Sequence, residues 1–181
     1  VIGNYKITTQ PTEEPISLSE IKTHLKLDGS DEDTYLGLLG KSARQYLEAW
    51  LDRAICTTTY KLYLDAFPET IEVRKGCNAV TELSYLVNDV DTVLDDAEYV
   101  VDTVTPIARI VPATSWPTAD SRINAIKVTF TAGFGAASAV PSDIKHTLLL
   151  MVGRAYEQRE DSVERLPKAS EQLAKFHKLY A

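Results

Sequence analysis

Cysteine and histidine are scarce in this chain of 181 residues. Its two cysteines, Cys56 and Cys77, lie 21 positions apart, with no CxxC motif and no histidine pair beside them. A structural zinc site needs four cysteine or histidine ligands at short, regular spacings. The sequence therefore predicts no zinc site and no disulfide, but two free and mostly buried thiols in a reducing compartment.

Long hydrophobic runs are also missing. The longest stretch of consecutive large apolar residues is residues 148–152, whereas a membrane-spanning helix needs about 20. We expect no membrane partner for this chain.

Positive charge is in short supply. The chain has 19 lysines and arginines against 26 acidic residues, for a net charge of −7. Binding to a phosphate backbone depends on clustered basic side chains, so nucleic-acid binding is not expected as the main function. An acidic surface can still face DNA usefully, because like-charge repulsion lets a duplex slide past without sticking.

Catalytic and cofactor-binding motifs are absent too. There is no G-x-S-x-G nucleophile motif. The segment Gly133-Phe134-Gly135 lacks the third glycine and the Lys-Ser/Thr of a phosphate-binding loop, so it predicts a turn that leaves a strand. The sequence indicates no enzyme, no catalytic residue and no cofactor. A hydrolase that pairs His24 or His146 with a carboxylate is the less favoured alternative.

Two acidic segments are candidate cation sites. Residues 28–39 fail as a calcium-binding EF-hand loop, because position six is Asp33 instead of glycine and position twelve is Leu39 instead of glutamate. A second cluster, residues 88–98, lies between two strand patterns, where a turn favours Asn and Asp. No metal site is expected. The alternative is a small acidic cytosolic binding module with a weak divalent-cation site at Asp89, Asp91, Asp95 and Asp96.

Two helices are predicted near the N-terminus. Ser17 and Glu20 have the S-x-x-E spacing of a capping box, which predicts that the first helix begins at Ser17. Asp28-Gly29 is its predicted end. The second helix is predicted from Ser30 or Asp31 to about Asp52, on apolar residues three or four apart. Gly37 and Gly40 on this helix allow close contact with another helix.

Two further helices are predicted near the C-terminus. The third follows Pro141-Ser142-Asp143, with Ser142 or Asp143 as its cap, and is apolar on nearly all sides. A short terminal helix follows Pro167.

The middle of the chain has the two-residue period of β-strands. Tyr60, Leu62 and Leu64 alternate with polar neighbours, as in a half-buried strand. Further short strands are predicted at residues 70–74, 82–87, 98–101, 108–111 and 125–131. Short connections between them favour antiparallel pairing.

The fold class expected from these patterns is α+β. A bundle of about four helices would carry an antiparallel β insertion between its second and third helices. The predicted segments are an extended N-terminal arm at residues 1–16, bundle helices at 17–56, a β-rich insertion lobe at 57–135, and further bundle helices at 136–181.

The end of the chain combines apolar and basic residues. Residues 154–181 hold six basic and five acidic residues, so this part is near neutral in an acidic chain. Such a helix either docks on its own domain or fits a groove of a partner. The candidate partner-contact residues are Leu173, Phe176, Leu179, Lys168, Lys175 and Lys178.

The order of these features resembles a known family. A strand followed by Ala132-Gly-Phe-Gly135, Val140-Pro141, an apolar helix and Tyr156-Glu-Gln-Arg-Glu160 is preceded by the capped N-terminal helix. Each block has a plain structural reason, but their order and spacing over residues 15–180 resemble the head–tail connector proteins (head completion or adaptor proteins) of tailed bacteriophages.

This resemblance implies a structural virion protein. Connectors of this kind form a homo-oligomeric ring, twelvefold by analogy, beneath the portal protein. The ring extends the channel through which double-stranded DNA passes without specific binding, and it offers a docking surface to a tail-side stopper or tail-completion protein. The implied location is the head–tail interface of a virion assembled in the bacterial cytoplasm. By the same analogy the C-terminal segment or its neighbours would contact the portal, and loops of the β lobe would contact adjacent subunits or the tail side.

Overall fold

The computed structural model describes residues 3–105, 107–159 and 168–179. The chain divides into two units, each with its own set of elements. Residues 1–11 and 57–133 make a β unit, and residues 12–56 and 134–181 make a helical unit. Four α-helices and antiparallel sheets in the described residues confirm the mixed α+β class.

The β unit contains two antiparallel sheets. The five-stranded sheet has the order β1-β2-β8-β4-β5, and the three-stranded sheet has the order β3-β7-β6. The strands are β1 (Asn4–Thr9), β2 (Thr58–Leu64), β3 (Ile71–Val73), β4 (Cys77–Val87), β5 (Val90–Val93), β6 (Tyr99–Asp102), β7 (Ala108–Pro112) and β8 (Ile126–Ala132).

Strand β2 lies inside the five-stranded sheet with the predicted alternation. Tyr60, Leu62 and Leu64 are buried, and their neighbours are half-buried. Leu62 lies opposite Val128 of β8, and Tyr60 stacks on Phe130 with ring centroids 5.6 Å apart. Aromatic and β-branched cross-strand pairs of this kind stabilise a sheet.

Within the predicted extended N-terminal arm, Asn4–Thr9 belong to the β unit. These residues form β1, which pairs antiparallel with β2 at the edge of the five-stranded sheet. The Tyr5 hydroxyl also accepts a hydrogen bond from the Arg74 backbone N–H at 3.1 Å. The strand ends in a bulge between Ile7 and Thr9, a feature that protects sheet edges from adding further strands.

The strand prediction was wrong around residues 76–98. Strand β4 begins at Cys77, five residues before the predicted start at residue 82, and β5 occupies part of the acidic segment expected to be only a turn. The turn between them is Asn88-Asp89, where both residues have positive φ, 51° and 64°. Two-residue hairpins favour this conformation, and Asn and Asp tolerate it better than most residues.

The helical unit contains α1 (Leu18–Leu25), α2 (Asp33–Leu51), α3 (Ser142–Glu157) and α4 (Lys168–Ala174). The capping box before α1 is formed as predicted, because the Ser17 N–H donates to Glu20 Oε2 at 2.6 Å and the Glu20 N–H donates to Ser17 Oγ at 3.2 Å. Helix α1 ends earlier than predicted, at a left-handed Lys26, and the start of α2 lies two or three residues later than predicted.

The start of α3 differs from its prediction. The N-cap is Pro141, with no side-chain cap, instead of Ser142 or Asp143. Asp143 lies inside the first turn, where Oδ1 accepts from the Ile144 N–H at 2.8 Å. Its other carboxylate oxygen is engaged by a residue near the C-terminus, described below.

One hydrophobic core holds the four helices together. Leu36, Leu47 and Leu51 of α2 and Ile144, Leu148 and Val152 of α3 belong to it, together with Ile21 of α1 and Ala174 of α4. Gly40 allows the close helix contact expected of it, because a Cβ there would lie 3.1 Å from Ile21 Cδ1. Gly37 faces open space instead.

No helix in the described residues combines the length and apolarity needed to cross a membrane.

Candidate partner-contact surface

The predicted terminal helix is present as α4 and the 3₁₀ turn Lys175–His177 that follows it. Ser170 and Ala174 face inward and are fully buried. Because the helix buries this face against its own unit, only its other side is available to a partner.

The six candidate residues do not share one environment. Phe176 is 89% exposed. Lys168, Lys175 and Lys178 are exposed, whereas Leu173 and Leu179 are half-buried. The two leucines therefore help to attach the segment. The aromatic ring and the three ammonium groups face solvent. We call Lys168, Lys175, Phe176 and Lys178 the C-terminal surface.

The segment around Phe176 is attached to the helical unit before this residue by the buried Ala174 and after it by His177 and Leu179. His177 Nε2 lies 2.8 Å from Asp143 Oδ2, and the His177 ring contacts the Phe134 ring edge-on, with centroids 5.5 Å apart. The Leu179 N–H donates to the Leu51 carbonyl at 3.1 Å. The exposure of Phe176 therefore does not come from a detached chain end.

Two cations stack on aromatic rings beside this attachment. Lys178 Nζ lies 4.4 Å from the centre of the Trp50 ring, and the Arg53 guanidinium lies 4.2 Å from the centre of the Phe134 ring. Burial lowers the pKa of Arg53, and its buried Nε has no hydrogen-bond partner among the described residues. Arg53, Phe134 and His177 form a cluster around the Phe134 ring. No sequence spacing indicated this cluster, because its members come from three distant segments.

The four aspartates of the alternative cation site have separate partners. Asp89 pairs with Arg122 and Asp91 pairs with Lys127. Asp95 accepts a hydrogen bond from the Ala97 N–H at 2.9 Å, and Asp96 accepts one from the Tyr99 hydroxyl at 2.6 Å. Burial, reinforced by Asp96, raises the pKa of Tyr99 to about 12. These carboxylates do not converge on one point.

The acidic segment before α2 is engaged in the same way. Glu32 accepts hydrogen bonds from the Tyr156 hydroxyl and from Arg159, which lower the pKa of its carboxyl. Asp33 pairs with Lys22 at 2.6 Å. Within the described ranges, no group of three or more His, Cys, Asp or Glu side chains is placed to hold a metal ion.

The nucleophile candidates are equally dispersed. His24 and His146 are exposed on α1 and α3. Cys56 and Cys77 are buried and not joined in a disulfide, and burial raises the pKa of each thiol to about 11. Because the thiolate is the reactive form of cysteine, both are poor nucleophiles at neutral pH.

A known protein family matches part of this chain. The family model described as phage gp6-like head-tail connector protein matches residues 15–105. The chain belongs to this family. It is a structural protein and not an enzyme, and its place is the head–tail interface of a phage-like particle.

Solved structures with a similar fold cover nearly the whole connector chain. A chain in the neck of an empty gene transfer agent (GTA) particle, computed with C6 symmetry, has a TM-score of 0.81 at 22% identity, over 97% of this chain and 95% of that chain. A chain in the virion of a native gene transfer agent particle has a TM-score of 0.82 at 23% identity, over 96% and 94%. A chain in the neck of a native GTA particle, computed with C12 symmetry, has a TM-score of 0.73 at 23% identity, over 98% and 95%. The comparison with curated proteins found no match.

Proposed function

We propose that this connector assembles as a homo-oligomeric ring, of twelve copies by analogy, beneath the portal at the neck of the particle. The ring extends the DNA channel from the head and provides the docking surface for a tail-side stopper or tail-completion protein. The helices form the bundle, and the β unit is the insertion lobe between α2 and α3.

One observation carries this proposal. The fold matches, over nearly its whole length, chains from particle necks that were computed with sixfold and twelvefold symmetry. Ring assembly is also consistent with elementary symmetry, because a head-to-tail interface closes into a ring when its rotation divides a full turn.

The charge of the chain supports a channel role. A net charge of −7 gives a ring of many copies a strongly negative field, which repels the phosphate backbone. Such a field gives double-stranded DNA that passes through the ring little electrostatic reason to bind to it.

The C-terminal surface supports a role in protein contacts. An aromatic ring that is 89% exposed, on a segment attached at both sides, resembles the aromatic anchors that dominate binding energy in interfaces. The proposed partner-contact residues are those predicted from the sequence, with Phe176 as the anchor and Lys168, Lys175 and Lys178 around it. Leu173 and Leu179, which are half-buried, help to attach the segment to the helical unit.

Deletion of the gene in its producing phage or prophage tests the proposal. Negative-stain imaging of the lysate should then show separate heads and finished tails, with few joined particles. A plasmid copy of the wild-type gene should restore joined particles.

Normal numbers of joined particles in the deletion strain would contradict the proposal. The alternative cation-binding role would then be tested by thermal unfolding with and without calcium. The connector should show no calcium-dependent shift, because Asp89, Asp91, Asp95 and Asp96 have the separate partners described above.

A further inference from the structure

We infer that the C-terminal surface of one copy binds the acidic β4–β5 hairpin of a neighbouring copy, residues 87–98, in a head-to-tail contact. This inference rests on the proposed ring and names the partner of its contact surface.

The acidic hairpin has an exposed apolar side chain of the kind that this contact needs. Val90 and Val93 are 62% and 63% exposed on β5. Strand β5 lies at the edge of the five-stranded sheet, next to β4. Because strand side chains alternate between the two faces, Val90 and Val93 point to opposite faces of the sheet. The hairpin therefore presents Val93, the valine nearer to the acidic turn that follows β5, as an uncovered apolar side chain.

The same hairpin is strongly negative. Residues 88–98 contain five acidic residues and no lysine or arginine. Two of the five, Asp89 and Asp91, pair with Arg122 and Lys127. The other three acidic residues, Asp95, Asp96 and the exposed Glu98, follow β5. Their carboxylates give this surface a net negative charge.

The C-terminal surface has the opposite charge. Residues 168–179 contain three lysines, Lys168, Lys175 and Lys178, and one acidic residue, Glu171. Lys178 is held over the Trp50 ring, so its ammonium group has a defined position beside the exposed Phe176. Both surfaces combine apolar groups with charge, and their charges are complementary.

Charge complementarity indicates a second copy as the occupant. Two chains of net charge −7 repel each other unless their contact sets cations against carboxylates. A heterologous interface joins two different surfaces of the same chain, as a ring requires. The C-terminal surface and the acidic hairpin provide such a pair, with Phe176 against Val93 at the centre and charges around them.

Photo-crosslinking in assembled particles tests this contact directly. The variant Phe176→p-benzoylphenylalanine should keep its fold, because the side chain is almost fully exposed. After irradiation of joined particles, we expect an adduct of twice the chain mass that contains tryptic peptide 76–109. That peptide holds the whole hairpin, since no lysine or arginine lies between Lys75 and Arg109.

The control is Leu38→p-benzoylphenylalanine, on the exposed face of α2, where Leu38 is 59% exposed. It should give no adduct with peptide 76–109. An adduct from position 176 to the portal, to another protein or to a different segment overturns the inference, as does an adduct within one chain. Joined particles with no adduct at position 176 also overturn it.

Charge reversal provides an independent measurement. Lys175→Glu and Glu98→Lys should each lower the yield of joined particles about tenfold, because each places like charges across the contact. The two changes in one chain restore the opposite charges and should return the yield to within about threefold of wild type. A double variant as defective as the two single changes combined overturns the inference.

The deletion experiment separates the two proposals. If the deletion strain makes joined particles, the connector role fails. If the wild-type gene restores joined particles while crosslinking and charge reversal give the contrary results, the connector role stands and this contact alone is wrong.

Discussion

Arg44 provides the sharpest stability prediction for the helical unit. Its side chain lies in the middle of α2 and the residue is 2% exposed. The guanidinium donates to Glu14 from Nε at 2.6 Å and to Glu48 from Nη1 at 2.7 Å. The other oxygen of Glu48 accepts from the Ile55 N–H at 2.9 Å. One cation thus connects the segment before α1, helix α2 and the chain that follows α2.

Arg44→Met should lower the free energy of unfolding by about 3–5 kcal/mol at pH 7.5. Breaking a buried ion pair by removing one partner costs this much, because the remaining charge stays buried without compensation. Whole domains are stable by only about 5–15 kcal/mol, so the loss is easily measured by urea unfolding. The control is Lys41→Met on the exposed face of the same helix, which should change stability by no more than about 0.5 kcal/mol.

The loss should shrink at lower pH. Burial raises the pKa of Glu48, and the nearby Arg44 opposes that rise. Without Arg44 the pKa of Glu48 in the folded variant should rise further. A carboxyl with a raised folded-state pKa contributes stability that is present at low pH and is lost as the pH rises through that pKa. The variant should therefore lie closer to the wild type at pH 5 than at pH 7.5. A loss below about 1 kcal/mol, or one that grows at pH 5, would refute this reasoning.

Two further predictions concern glycine and cysteine. Gly37→Ala should raise stability by up to about 1 kcal/mol, since alanine favours helix and a Cβ there meets open space. Gly40→Ala should lower stability instead, because its Cβ would press on the buried Ile21; urea unfolding of both variants checks the pair, and equal effects would contradict it. Cys56 and Cys77, each with a pKa raised to about 11 by burial, should resist thiol reagents at pH 8 in the folded chain and react on unfolding. A thiolate fraction about a hundredfold lower than that of an ordinary thiol is expected from the pKa alone, and fast labelling of the folded protein would contradict it.

Elements that bury one face could be predicted from the sequence. The alternation at Tyr60, Leu62 and Leu64 identified β2, because that strand has a buried face and a more exposed face. The start of α1 was equally clear, since Ser17 and Glu20 satisfy backbone N–H groups that only a helix N-terminus leaves free. In both cases the local pattern and the final packing demand the same residues.

The two edge strands could not be predicted in the same way. In β1, five of six side chains are exposed, and in β5 three of four are exposed. A strand without a buried face has no reason to alternate apolar and polar residues. Pairing with β2 and β4 places these strands in the sheet, and such pairing depends on residues far away in the sequence.

The C-terminal surface could also be predicted only in part from the sequence. The basic and apolar composition of residues 168–179 was visible in the sequence, but it did not distinguish a docked helix from a free one. The structure shows both roles in one segment, because Ala174 and Ser170 are buried while Phe176 is exposed. The attachment through His177, Asp143 and Phe134 decides which side faces solvent, and these contacts join residues that no local pattern connects.

The family match and the proposed contact together constrain how this connector can change. The matched region, residues 15–105, contains the acidic hairpin, whereas the C-terminal surface lies beyond it. In a head-to-tail ring each copy contributes both surfaces, so a change of charge on one must be met by a change on the other in the same chain. A connector with an altered C-terminal surface should therefore fail to join a ring of unaltered copies, even though its own fold, centred on buried residues of α2 and α3, remains intact.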